Sequence, residues 1–198
     1  MLKHKLSFCI ILFLIALGAH SQSLSLKYNI QLKDDVIGIL NVKRMIQGNK
    51  TSYLLDSKIQ IQKVMTFDIT YNLVTNYENG KLISSTNRQT TNARMKTNSS
   101  TVWEGNKYLV TVGSDRKYIK EKMIDYSLAL LYFNEPIGKT KVWSDSFGKF
   151  LRIKPDGVHR YELQLPDGKK NYYNYKFGIC SMVETEQVFT KVTFLLTK

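Results

Sequence analysis

The chain is poor in the residues from which most enzyme and metal sites are built. It has three histidines, two cysteines and three prolines in 198 residues. His4, His20 and Cys9 fall within the first 21 residues, so the remainder has a single histidine, His159, and a single cysteine, Cys180. One cysteine excludes an intramolecular disulfide, and a lone cysteine in an apolar setting reads as a small buried hydrophobe. One histidine excludes His-rich metal sites and makes any histidine-based triad depend on His159, beside the turn Pro155-Asp156-Gly157. No Gly-x-Ser-x-Gly elbow, phosphate-binding loop, dinucleotide fingerprint or Cys/His zinc spacing is present, so neither a cofactor nor a metal is expected. Beyond residue 21 no apolar run reaches the length of a membrane-spanning helix.

Acidic residues are also scarce, 16 against 29 lysines and arginines, for a net charge of +13. The first 21 residues have the form of a secretory signal. Lys3 and Lys5 start it, Leu6 to Leu17 is a short apolar run, and Ala19-His20-Ser21 offers small residues for cleavage before Gln22. Cys9 lies inside the apolar run and does not mark a lipid anchor. The chain is therefore expected to be exported, periplasmic or extracellular, with Gln22–Lys198 as one domain. Without Lys3 and Lys5 the 29 basic residues become 27, and against 16 acidic residues the net charge is +11. An exported chain of that charge points away from nucleic acid. A lysine-rich soluble surface explains it, and so do anionic envelope partners such as lipid headgroups.

What the sequence has in quantity is period-two alternation, the mark of half-buried strands. Leu24, Leu26, Tyr28, Ile30 and Leu32 share one face. Tyr53, Leu55, Ile59 and Ile61 share another, as do Met65, Phe67, Ile69, Tyr71 and Leu73. Gly38 interrupts the second strand and suggests a bulge. Asn79-Gly80 is the strongest hairpin signal, and Pro155-Asp156-Gly157 and Pro166-Asp167-Gly168 are matching turns. Residues 84–101 (SSTNRQTTNARMKTNSST) are polar on both faces. They fit a strand pair lining a polar or wet surface, or a solvated hairpin tip or loop. Arg88 to Lys122 is the most basic part of the chain.

One stretch departs from the strand pattern. Ile124, Leu128, Leu131 and Tyr132 follow helical spacing, and Ala129, Leu130 and Phe133 make the segment apolar nearly all round, as a buried helix is. Asp125 or Ser127 can cap it, and Pro136 and Gly138 limit it to about two turns. The expectation is a mainly β protein: one curled antiparallel sheet of about ten strands, half-barrel or barrel-like, with one short buried helix near 124–134 plugging its open side.

The chain resembles exported β-rich bacterial proteins of domain-of-unknown-function families 6134 and 3108. The residues that carry the resemblance are Tyr28-x-Ile30 followed by Ile37-Gly38, the central Ile124-Asp125-x-Ser127-Leu128-x-x-Leu131-Tyr132-Phe133, and Tyr161-x-Leu163 with Gly178 and Val183-Glu184. The resemblance implies an exported domain with a curled sheet and transfers no catalytic residue. A more distant likeness is to the unclosed β-barrels of periplasmic lipoprotein carriers, at the level of fold.

Three functions are compatible with these features. The first is non-enzymatic binding of a lipid or other amphipathic small molecule inside the sheet, with Phe67, Tyr71, Leu128, Leu131, Tyr132 and Trp143 as lining candidates and basic residues at the rim. For each of these six, a plain core role is the competing account. The second is docking of an envelope protein partner on a sheet edge or on residues 84–101. The third is hydrolysis of an envelope glycan or ester, which requires Glu162, Glu184 and Glu186, or Cys180 with His159, to converge in a cleft. Cross-strand ion pairs explain the glutamates as well.

Overall fold

The computed structural model describes residues 21–62, 66–186 and 191–197. The expected signal lies outside the described residues except for Ser21, as does Met65. Fourteen strands follow one another: β1 (Gln22–Leu32), β2 (Asp35–Gln47), β3 (Lys50–Gln62), β4 (Thr66–Glu78), β5 (Lys81–Thr91), β6 (Arg94–Trp103), β7 (Tyr108–Val112), β8 (Asp115–Ile119), β9 (Lys141–Ser144), β10 (Lys149–Pro155), β11 (Arg160–Gln164), β12 (Lys170–Lys176), β13 (Ile179–Glu186) and β14 (Lys191–Leu196). They form one sheet in the order β8-β7-β6-β5-β4-β3-β2-β1-β14-β13-β12-β11-β10-β9, and every strand pairing is antiparallel.

The curled antiparallel sheet is as expected, but it has fourteen strands, not about ten. The difference lies in the polar and short segments. Residues 84–101 contain no apolar alternation, yet they supply most of β5 and β6, and β8 adds a five-residue edge with little apolar content. Elsewhere the alternation holds. Leu26, Tyr28 and Ile30 are buried with Leu40, Val42, Tyr53, Leu55 and Leu73 in one continuous core.

Gly38 sits at a bulge, as expected. The β1–β2 register passes from Ile30↔Gly38 to Gln31↔Val36, leaving Ile37 as the extra residue. The glycine is there because the next strand is too close for a side chain. A Cβ at this position would lie 2.3 Å from the Lys58 carbonyl oxygen and 2.9 Å from the Ile59 Cα. Both are backbone atoms, so relief requires β2 and β3 to part. Gly38→Ala is expected to cost about 1–3 kcal/mol of stability, read as a lowered urea midpoint. A midpoint equal to that of the parent protein would show that the bulge absorbs the methyl group.

Among the described residues the sheet does not close through hydrogen bonds, since its two edges are β8 and β9. Packing bridges them instead. The β9–β10 turn lies on the inner face of the opposite edge. A Cβ on Gly148 would meet Val110 Cγ1 at 2.6 Å and Val112 Cγ2 at 2.8 Å. Ser99 Oγ donates to the Asp145 carbonyl oxygen (2.8 Å), and Asn87 Nδ2 donates to Ser146 Oγ (2.9 Å). The polar inner face of residues 84–101 is therefore the seat for the turn Ser144-Asp145-Ser146. Of the two readings of that tract, the structure shows the strand pair with a polar inner face.

The expected two-turn helix is a shorter 3-10 helix, Leu128–Tyr132, with Ser127 at its N-cap. Neither expected cap bond forms. The Ser127 side chain caps nothing, and Asp125 pairs with Lys139 (2.6 Å). The physical reason is competition for carbonyls. Ile124 O accepts from Leu82 N (2.9 Å), and Tyr126 O accepts from Trp143 N (2.9 Å). An α-helix beginning at these residues would need those same oxygens for its i+4 amides. The helix therefore starts only at Ser127, whose carbonyl accepts from Leu130 N (3.0 Å).

Candidate functional site

The 3-10 helix does plug the curled sheet, and it does not fill it. Ala129, Leu130 and Leu131 are buried, whereas Leu128 and Tyr132 are half-buried and border a cavity of about 230 Å³. Tyr28, on β1, fixes the Tyr132 ring edge-on at 5.3 Å and donates its hydroxyl to the Cys180 carbonyl oxygen (2.7 Å). Tyr175, on β12, donates to the Leu131 carbonyl oxygen (2.8 Å). Sheet tyrosines thus hold both the helix backbone and its cavity-facing ring.

The cavity wall comes from inward positions of strands on both sides of the helix. Leu40, Leu55, Ile59 and Ile69 line one side; Tyr173, Val183 and Phe194 line the other. Ser57, Gln89, Asn171 and Thr185 add uncharged polar groups. Asn171 Oδ1 is itself buried and makes no hydrogen bond among the described residues. Burial pushes the hydroxyls of Tyr71, Tyr132 and Tyr173 above the ordinary tyrosine range, which keeps them neutral. No lining residue is charged. The basic groups expected at a ligand rim are therefore not part of this wall, and Arg88, Arg94 and Lys96 are exposed on β5 and β6.

The six candidate residues divide. Tyr71, Leu128 and Tyr132 line the cavity. Phe67 lies on the same strand face as Ile69 and Tyr71 but is 36% exposed, nearer the strand end. Leu131 is wholly buried and belongs to the core. Trp143 is also buried. It borders a separate groove at the seam, with Ile119, Lys120 and Phe150, rather than the cavity. Most of the wall was missed, although the inward phase of β3 and β4 already marks Leu55, Ile59 and Ile69. Asn171 and Thr185 carry no such signal, because a polar residue at an inward position looks like a surface residue until the sheet is curled.

Among the described residues, Cys180 is buried and His159, Glu162 and Glu184 are ion-paired. Cys180 is fully buried, with its thiol pushed up to about 12 by burial. His159 is largely exposed and places Nδ1 3.0 Å from Glu135 Oε1. Glu162 pairs with Lys170 (2.9 Å) and Lys154 (3.3 Å), and Glu184 pairs with Arg160 (3.4 Å). Those are the cross-strand ion pairs of a charged sheet face.

Fold and cavity together define a β-barrel-like protein: a single antiparallel sheet, open between its edge strands, with a short helix and an uncharged cavity inside. The chain belongs to the family of the domain of unknown function DUF6134, whose model matches residues 28–197. Among curated proteins none matches it. A crystal structure of a beta-barrel-like protein of domain of unknown function DUF1849 from Brucella abortus is similar over 88% of this chain and 95% of that one, with 11% sequence identity and a TM-score of 0.49.

Proposed function

We propose that this is an exported envelope protein that binds a small, uncharged, apolar or amphipathic molecule beside the 3-10 helix, without chemistry on it. The observation that supports this best is the space left at Leu128 and Tyr132, walled by aliphatic and aromatic side chains with a few uncharged polar residues, Ser57, Gln89, Asn171 and Thr185. Binding cavities have this composition, apolar walls with a few polar groups that orient the ligand. The volume of about 230 Å³ exceeds the roughly 150 Å³ that accepts a benzene ring. It suits one ring system or a short chain with a small polar group.

Organic extraction of the purified protein followed by mass spectrometry tests this, together with titration by a naphthalene-based fluorescent probe. Ser57 is 4% exposed and stands between Leu55 and Ile59 on the wall. Ser57→Leu grows into the cavity and is expected to weaken probe binding about tenfold or more, a loss of about 1.4 kcal/mol or greater. Unaltered probe affinity in a folded Ser57→Leu protein, with nothing extracted from the parent, would sink the proposal. Export has its own test. Intact mass of the secreted or periplasmic protein should correspond to a chain starting at Gln22. A chain that keeps Met1 and stays with the membrane would contradict it.

A second reading, docking of a partner, is favoured by one observation: among the described residues β8 and β9 each lack a neighbouring strand on one side. Such edges accept an added strand. Pull-down from envelope extracts distinguishes the two, because strand docking is insensitive to Ser57→Leu.

A further inference from the structure

The three most exposed large hydrophobic side chains among the described residues are Phe177 (105%), Val158 (90%) and Ile137 (73%); the next, Val36, is at 55%. They gather at one end of the sheet. Phe177 is in the β12–β13 turn and Val158 in the β10–β11 turn, and in an antiparallel sheet both turns project at the same end. The Tyr175 amide donates to the His159 carbonyl oxygen (2.8 Å), which holds the two turns side by side. Val158 and Phe177 border a common groove of about 730 Å³. Ile137 is on the loop that follows the 3-10 helix. Glu135, two residues before it, ties that loop to the same place. Its carboxylate accepts from the Tyr161 hydroxyl (2.9 Å) and lies 3.0 Å from His159 Nδ1.

Nothing inside the fold accounts for Phe177. Lys176 pairs with Ile179, so Phe177 and Gly178 are the two central residues of a tight turn, at φ 52° and 77°. A turn with positive φ at both positions favours Asn or Asp at the first, and a bulky side chain there is strained. The ring offsets that strain with no burial in this chain. The groove beside it is apolar as well, with Ile179, Met182 and Leu195 on its wall. Lys176, also on the wall, is exposed and makes no ion pair among the described residues. The acidic groups nearby are already engaged, Glu135 with His159 and Asp156 with Arg160. This end is therefore apolar and positive, in a chain whose net charge is +13, or +11 without Lys3 and Lys5.

Single apolar side chains on protruding turns, with a lysine beside them, suit a bilayer interface. Apolar groups enter the acyl boundary there, and lysines stay with anionic headgroups. They suit a second copy less well, because two chains of the same positive charge repel. We propose that this end of the sheet is a membrane-docking surface, on which Phe177, Val158 and Ile137 insert into an anionic lipid bilayer and Lys176 contacts its headgroups. Docking there does not depend on the cavity's having a ligand.

The experiment uses Gln22–Lys198, which holds all fourteen strands and omits the apolar run Leu6 to Leu17, itself able to partition into lipid. A cooperative urea transition verifies its fold. Cosedimentation is measured with vesicles of phosphatidylcholine alone and of phosphatidylcholine mixed equally with phosphatidylglycerol. Binding should favour the anionic vesicles and weaken with added salt. Phe177→Asn removes the ring and suits the backbone. It should weaken partitioning about tenfold while leaving the urea midpoint equal or higher. Val158→Ser combined with Phe177→Asn should abolish binding, and Lys176→Ala should weaken it a few-fold. Phe177→Trp should bind as the parent does, with its emission shifted to the blue on vesicles. Absence of binding to anionic vesicles by the folded parent, or equal binding by the parent and the double variant, would overturn the proposal. Self-association of a parent that binds no lipid, lost in the double variant, would overturn it in favour of an interface between copies.

Discussion

Trp143→Ala is expected to cost about 3–5 kcal/mol of stability, the range for removing a large aromatic from a packed core. Trp143 is 1% exposed, and its ring meets Phe150 edge-on at 5.2 Å. Its backbone ties two parts of the chain: the amide donates to Tyr126 O, and an isolated parallel bridge pairs it with Ser127. The side chain thus anchors the crossing segment that carries the helix into the sheet. Single domains have only about 5–15 kcal/mol in total, so the variant should unfold at a much lower urea concentration. Trp143→Phe keeps a ring and should lose less. A change under about 1 kcal/mol for the alanine variant would mean that the seam side of the core tolerates a void.

The pH dependence of stability is the second large effect, and its sign follows from Asp145. Burial raises its pKa from 3.8 to about 6, and Ser85 and Trp143 offset only part of that rise. Between those two values the folded protein binds more protons than the unfolded chain, so stability falls as pH rises. The contribution is fully present below pH 3.8 and lost above about 6. The displacement corresponds to about 3 kcal/mol. In buffer of low salt, urea midpoints should decline from pH 4 to pH 7 by more than the other carboxylates explain. Asp145→Asn should flatten that decline and leave the variant the more stable of the two at pH 7.5. A parallel decline in both proteins would show that Asp145 is not the group responsible.

Alternation of leucine, isoleucine and tyrosine in β1, β3 and β4 made strands, their inward face and the bulge at Gly38 legible, because period two and a missing Cβ are local properties. The apolar run at 128–133 was legible as a buried plug for the same reason. Its length and type were not. Whether Ile124 and Tyr126 carbonyls serve a helix depends on Leu82 and Trp143, which reach them only in the folded sheet. Of the six lining candidates, Tyr71, Leu128 and Tyr132 border the cavity, whereas Leu131 and Trp143 are wholly buried in the core. Apolar character alone cannot separate a wall from a filling.

By itself, then, the sequence determined a mainly β, curled-sheet architecture with an apolar insert, since hydrophobic period and turn chemistry act over a few residues. The tertiary structure decided which polar residues face inward. Ser57 and Thr75 continue the inward phase of β3 and β4, but Ser85 and Thr101, in a tract polar on both faces, carry no inward signal along the chain and are interior only because distant strands curl over them. It also decided that Asp145, in an ordinary turn tripeptide, is buried beneath three strands more than 40 residues away in sequence. A buried charge is a matter of surroundings, and the surroundings of Asp145 come from residues 75–101.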